Sequence, residues 1–192
     1  MILTSREKIF LLEIARETIK MWVSGNGFRH EPDLQSIISL NRPFVLENAG
    51  AFVTLKKDGN LRGCIGRFDA AYPLYLVVRD MAIESAMNDH RFSPVEFNEL
   101  NDIDIEISVL TPLKKINSID EFFIGQHGIY MVKEGKSGTF LPNVATETGW
   151  TRDEFLGHCS KDKMGMGWED WKTADLYVYE TIIFSEQGFG LK

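Results

Sequence analysis

The residues of this chain best suited to chemistry gather in one short stretch, LRGCIG, from Leu61 to Gly66. Cys64 stands next to Gly63 and two places before Gly66, with Arg62 just upstream. A cysteine is a strong nucleophile once ionised, and a neighbouring cation favours that ionised form. The glycines permit close approach of another group or unusual backbone angles. Arg62 could serve the thiol, or hold an anionic group such as a carboxylate or phosphate. Strand alternation keeps Arg62 and Cys64 on one face only if no bulge intervenes. The competing reading makes Cys64 a small buried hydrophobe. The stretch alone leaves nucleophile, metal ligand and packing residue all open.

Further candidates lie downstream. His127, in GQHGIY, sits between turn residues and a strand, and could act as base for a thiol or be a plain turn histidine. Glu106, in IDIEISVL, shares a strand face with Asp104 and Ser108, opposite Ile103, Ile105, Ile107 and Val109. That face is either solvated or projects a carboxylate into a cleft. His30, His90, His127 and His158 join Cys64 and Cys159 as metal-ligand types, but no C-x-x-C or H-E-x-x-H spacing occurs. His158 and Cys159 are adjacent, and neighbours on a helix diverge by about 100°, so they are poor joint ligands. No metal site is assigned. KEGKSG contains G-K-S but lacks the first glycine of a P-loop, and its setting is a hairpin. No G-x-G-x-x-G fingerprint is present.

The elements that must position these residues follow from periodicity. Thr4-Ser5-Arg6-Glu7 is a capping box, opening a helix to Trp22 with Leu11, Leu12, Ala15 and Ile19 on its apolar stripe. The stretch Gly25-Asn26-Gly27 should stop it, and Pro32 could open a short helix within Glu31–Asn41. AFVTLKK (Ala51–Lys57) reads as a strand, Asp58-Gly59 as a hairpin turn, and Leu61–Ile65 as the returning strand. Pro73 precedes a helix over Leu74–Met87. Ile103–Leu110 is a half-buried strand, Ser118–Phe123 a helical turn, Gly128–Lys133 a strand, and Thr139–Leu141 its return. A second capping box at Thr151 opens a helix to about Ser160, and Ala174–Ser185 reads as one final strand. Helices interspersed with hairpins, without regular βα alternation, predict an α+β fold.

The chain has 192 residues and a formal net charge of −7. Residues 1–192 are expected to form one domain, with room for two intertwined lobes. The acidic balance gives no global attraction to nucleic acid or to anionic lipid, and neither is an expected partner. Two distant cysteines do not make a disulfide scaffold, and a reduced, cytoplasmic setting is expected. The first residues lack the pattern of a signal peptide. No apolar run approaches the roughly 18 residues of a membrane span.

Taken in order, LRGCIG, DHRFSPV, IDIEISVLTP, GQHGIYM, SGTFLPNVATETGW and EFLGHCSK resemble the AMMECR domain family, called AmmeMemoRadiSam system protein A in prokaryotes. The resemblance covers nearly the whole chain. It implies an α+β fold of two lobes, with antiparallel or mixed sheets, flanking helices and the signature hairpin near the cleft between the lobes. It implies an intracellular protein whose activity is not established, in a pathway with a Memo-like protein and a radical S-adenosylmethionine protein. The matching blocks carry Cys64, Arg62, Gly63, Gly66, Asp89, Arg91, Phe92, Glu106, His127, Pro142, Trp150 and Lys161. One departure stands out. Where the family reads Cys-x-Lys-Ala-Gly, this chain keeps Cys159 and Lys161 but has Asp162-Lys163.

With the resemblance added, LRGCIG reads as a site. The expectation is a cysteine-dependent enzyme of acyl or group transfer. Cys64 is its nucleophile or covalent carrier, activated either by His127 as the base that takes its proton or by Lys161 through its charge, and Glu106 is the orienting group or acid. Arg62, Gly63, Gly66 and Arg91 bind a small-molecule or peptide substrate. No cofactor is expected. The rival reading is a non-catalytic binding or scaffold module using the same cleft, in which Cys64 is merely compact.

Overall fold

The computed structural model describes residues 3–26 and 44–192. The helix expected within Glu31–Asn41, together with Gly27 and His30, lies outside these residues. The described residues form an α+β fold with two four-stranded antiparallel sheets. They divide into two compact units, Met1–Leu110 with Ile182–Lys192, and Thr111–Thr181.

The first unit begins with α1, Ser5–Met21. The expected capping box forms: Glu7 N–H donates to Thr4 Oγ1 at 3.3 Å, and Thr4 N–H donates to Glu7 Oε2 at 2.9 Å. Gly25, at φ 80°, ends the last wide turn in a conformation suited to glycine. The sheet contains β1 (Ala51–Lys57), β2 (Asn60–Arg67), β3 (Ile103–Leu110) and β8 (Thr181–Ser185), in the order β2-β1-β3-β8. Asp58 and Gly59, both at positive φ, make the tight β1–β2 turn. Helix α2, Leu74–Met87, packs against α1, β1 and β2. The core joins Val53, Leu55, Ile105 and Ile107 to Leu11, Leu12 and Ala15 of α1 and Val77, Val78 and Ala82 of α2. One sheet face therefore lies under the helices. Phe52, Thr54, Lys56 and Glu106 alternate onto the other face.

The second unit has its own core around Ile129, Met131, Phe140, Phe155, Leu156 and Trp171. Its strands are β4 (Lys114–Ile116), β5 (Gly128–Lys133), β6 (Lys136–Phe140) and β7 (Asp175–Tyr179), in the order β4-β7-β5-β6. Helices α3 (Pro142–Thr148) and α4 (Arg152–His158) complete it. KEGKSG is the β5–β6 hairpin, with Glu134 and Gly135 at positive φ. Neither β4 nor α3 has enough periodicity to stand out in the sequence.

One sequence expectation is corrected. Ala174–Ser185 is not one strand. It breaks at Glu180, with β7 in the second unit's sheet and β8 in the first unit's. Alternation runs through both strands, so local pattern gave no sign that the chain changes sheet. At that break Thr111 N–H donates to Glu180 C=O at 2.9 Å, and Glu180 N–H donates to Thr111 Oγ1 at 2.8 Å. Among the described residues, no helix is long and apolar enough to cross a membrane.

Candidate functional site

The position of Cys64 is decided by a bulge. The turn sets Lys57 opposite Asn60 and Lys56 opposite Leu61. Unbroken alternation would then put Cys64 opposite Val53, on the face under the helices. Instead Leu55 pairs with Gly63, so Arg62 is an extra residue in β2. A one-residue slip exchanges the two faces of a strand. Cys64 consequently pairs with Thr54 on the face away from α1 and α2.

Thr54 in turn pairs with Glu106 on β3. Cys64, Thr54 and Glu106 thus form a row across three strands, all partly exposed. Thr54 Oγ1 donates to Cys64 Sγ at 3.3 Å. Lys56, from the next row, places Nζ 2.8 Å from Glu106 Oε2.

The backbone of Cys64 is held from the outer edge of β2. Its N–H donates to Asp89 Oδ2 at 2.8 Å, and its C=O accepts from Arg91 Nη2 at 3.1 Å. Arg91 is itself fixed by Asp89, with Nε 2.9 Å from Oδ1 and Nη2 2.7 Å from Oδ2. Asp89 is a buried carboxylate. Arg91 holds its carboxyl well below the usual range, helped by the N–H groups of Cys64 and Arg91 and opposed by burial. The pair supplies one acceptor and one donor, much as a neighbouring strand would.

Ser85 of α2 ties the next residue. Ile65 N–H donates to Ser85 Oγ at 2.8 Å, and Ser85 Oγ donates to Val53 C=O at 2.7 Å. A buried helix hydroxyl therefore bridges β1 and β2 beside Cys64. Ser85→Ala should lower stability by about 1–2 kcal/mol, the usual cost of a buried partner lost. A urea unfolding midpoint unchanged from wild type would refute this role.

The two glycines of the stretch answer to packing. A Cβ on Gly63 would lie 2.2 Å from Ser85 C=O, and one on Gly66 would lie 2.2 Å from the Phe52 ring. Arg62, the bulged residue, reaches Glu99 through Nε and Nη2 at 3.2 and 2.6 Å. It also donates to Ser93 C=O at 2.9 Å and Pro94 C=O at 3.3 Å. Arg62 is the main cause that brings the Glu99 carboxyl down to about 2. In this structure Arg62 braces the 93–99 segment.

The remaining sequence candidates belong to the second unit. His127 accepts the Phe123 N–H at Nδ1, 3.2 Å away, and its Nε2 faces Glu180 Oε1 at 3.8 Å. Lys161 is exposed in the wide turn Cys159–Lys163. Cys159 is fully buried, and burial pushes its thiol up to about 12. The first unit brings Cys64, Arg91 and Glu106 onto one strand neighbourhood, whereas His127 and Lys161 lie at separate places in the second unit's chain.

Residues 12–184 match the family model AMMECR1. The chain belongs to the AMMECR1 family. It is 37% identical over 196 residues to a protein of Methanopyrus kandleri, spanning 96% of this chain and 91% of the relative. A protein of Nanoarchaeum equitans is 34% identical over 185 residues, spanning 92% and 98%. The crystal structure of an uncharacterised protein from Pyrococcus horikoshii has a TM-score of 0.84 at 32% identity, covering 96% of this chain and 94% of that one.

For this AMMECR1-family chain, sequence reasoning named Cys64, Glu106 and Arg91 but missed Thr54 and Ser85. Thr54 becomes the neighbour of Cys64 only through the bulge. Ser85 reads as an ordinary helix residue, and only its burial beside a glycine reveals its reach.

Proposed function

We propose that the chain is a thiol-dependent group-transfer enzyme, of acyl-transfer class, with Cys64 as nucleophile. The observation that carries this reading is the bulge at Arg62. It turns Cys64 onto the sheet face away from α1 and α2, where the Thr54 hydroxyl donates to Sγ and Glu106 stands next in the row. A hydrogen bond donated to sulfur stabilises the thiolate, the form that attacks.

In the proposed reaction the thiol proton passes by way of the Thr54 hydroxyl, which stands between the two in the row, to the Glu106 carboxylate. The thiolate attacks the carbonyl carbon of an activated acyl donor. The carbon–sulfur bond forms, the bond to the leaving group breaks, and the leaving group takes the proton from Glu106. An acceptor then attacks the thioester, its proton passing to the sulfur as the thiol is restored. The sum is acyl transfer from donor to acceptor, with no change of oxidation state. Lys56, at hydrogen-bond distance, orients the Glu106 carboxylate. The steps use groups of the first unit alone. A pathway shared with Memo-like and radical S-adenosylmethionine proteins belongs to the proposal on the strength of the resemblance.

The test is alkylation of the folded protein by iodoacetamide at neutral pH, followed by peptide mapping. Cys64 should react about tenfold faster than in the unfolded chain, and Thr54→Val should remove most of that gain. Cys159 should stay unmodified until the protein unfolds, as its burial requires. A folded Cys64 that resists the reagent would reduce it to a packing residue.

A further inference from the structure

A guanidinium has five N–H donors, one on Nε and two on each terminal nitrogen. Arg62 commits four, to both oxygens of Glu99 and to the carbonyls of Ser93 and Pro94. Its side chain is 14% exposed. It lines a cavity of about 420 Å³ that also holds Glu96, Glu99 and Asp102. Carboxylates there outnumber the two cations, Lys57 and Arg62, and an anion gains nothing by entering.

Arg91 differs on each point. Nε and both Nη2 donors are taken by Asp89 and by the Cys64 carbonyl. The two donors on Nη1 have no partner among the described residues. The side chain is 46% exposed, although the Asp89 that holds it is 2% exposed. The Phe92 ring sits 5.5 Å from the guanidinium carbon. Arg91 is thus oriented in advance by groups it need not release, and its remaining donors belong to a half-exposed guanidinium hydrogen-bonded to the residue that carries the thiol. A cation held in this way loses little freedom on binding an anion.

We propose that Arg91 anchors an anionic group, a carboxylate or phosphate, of the molecule handled at Cys64. The assignment rests on the reading of Cys64 as the reactive thiol, and it names the class of substrate: an acyl donor or acceptor that carries a negative group near its reacting carbon. Arg62, the anion binder expected from the sequence, has no part in it. The exposed His90 and the buried Asp89 are the other titratable neighbours in the chain, and Asp89 is already spent on Arg91 and Cys64.

Two alkylating reagents of one size test this, anionic iodoacetate and neutral iodoacetamide. The rate ratio at Cys64, iodoacetate over iodoacetamide, should be about fivefold higher in the folded protein than in the unfolded chain, the effect of one partly exposed opposite charge. Inorganic phosphate, at constant ionic strength, should slow iodoacetate and leave iodoacetamide unaffected. The double variant Asp89→Asn, Arg91→Gln keeps an acceptor for the Cys64 N–H and a donor for its carbonyl but has no cation. Its ratio should fall to the unfolded value. If that variant does not fold, the phosphate competition on the wild-type protein decides. Reaction with both reagents and no preference for the anion would overturn the Arg91 assignment alone. Failure of both reagents would overturn the reactive thiol, and this inference with it.

Discussion

Asp89→Ala should cost about 1–3 kcal/mol of unfolding free energy at neutral pH, chiefly the cost of leaving the Cys64 N–H without its acceptor, since the Arg91 guanidinium left behind is half-exposed. The substitution strands the Arg91 guanidinium and leaves the Cys64 N–H without its acceptor. It therefore loosens the edge of β2 where the thiol sits. Asp89→Asn should cost less, because its amide oxygen can still accept from Cys64. The pH dependence has a fixed sign. The carboxyl is held low in the folded chain, chiefly by Arg91, while in the unfolded chain it titrates near about 3.9. Its contribution is complete above that value and is lost as pH falls below it. Urea unfolding followed from neutral pH into acid should show a steeper decline for the wild type than for Asp89→Asn. Parallel curves would mean that the carboxylate contributes nothing through its charge.

Gly63→Ala should cost about 3 kcal/mol, at the upper end of the range for overpacking. The added carbon would meet the Ser85 carbonyl at 2.2 Å. That oxygen is backbone in the last turns of α2, so relief requires moving the helix or the strand. Thermal melting should show the loss as a fall of roughly 6–12 °C for a chain of this size. Gly66→Ala, whose new carbon meets the ring of the partly exposed Phe52 at 2.2 Å and the Ala51 carbonyl oxygen at 2.7 Å, should cost less, because the ring can turn away and the backbone contact is looser than the one at Gly63. Equal effects at the two sites would contradict the packing account. The glycines of LRGCIG are thus explained by what presses on them, and they need no ligand to justify them.

Much of the fold was legible because its signals are local. The Thr4 and Thr151 capping boxes, the Asp58-Gly59 turn and the alternation of Ile103–Leu110 each state their structure within a few residues. What escaped is set by pairings far apart in sequence. The Asp58-Gly59 turn fixes a register that puts Cys64 under the helices, and only the swelling at Arg62 reverses it. The ties of Arg62 to the 93–99 segment supply the physical reason for that swelling, and no window on β2 contains those residues. The same limit hid the break at Glu180, where a continuous alternating stretch serves two sheets. Arg91 was legible as a basic residue of the DHRFSPV block. Its preference over Arg62 follows from counting donors, which needs coordinates.

The division of the chain has a consequence for biosynthesis. Residues 111–181 interrupt the first unit between β3 and β8, two neighbouring strands of one sheet. During translation the interrupting unit leaves the ribosome as one contiguous piece, able to fold as soon as it is complete. The first unit, begun earlier, must wait. Until residues 182–186 emerge, β3 presents an unpaired edge, an invitation to pairing with other chains. Closure comes when β8 arrives and Glu186 exchanges backbone and side-chain hydrogen bonds with Ile105 while its carboxylate meets Arg16. The sheet that carries Cys64 is sealed only after the second unit has been made, and a nascent chain stalled before Glu186 has the thiol's strand but not a finished platform beneath it.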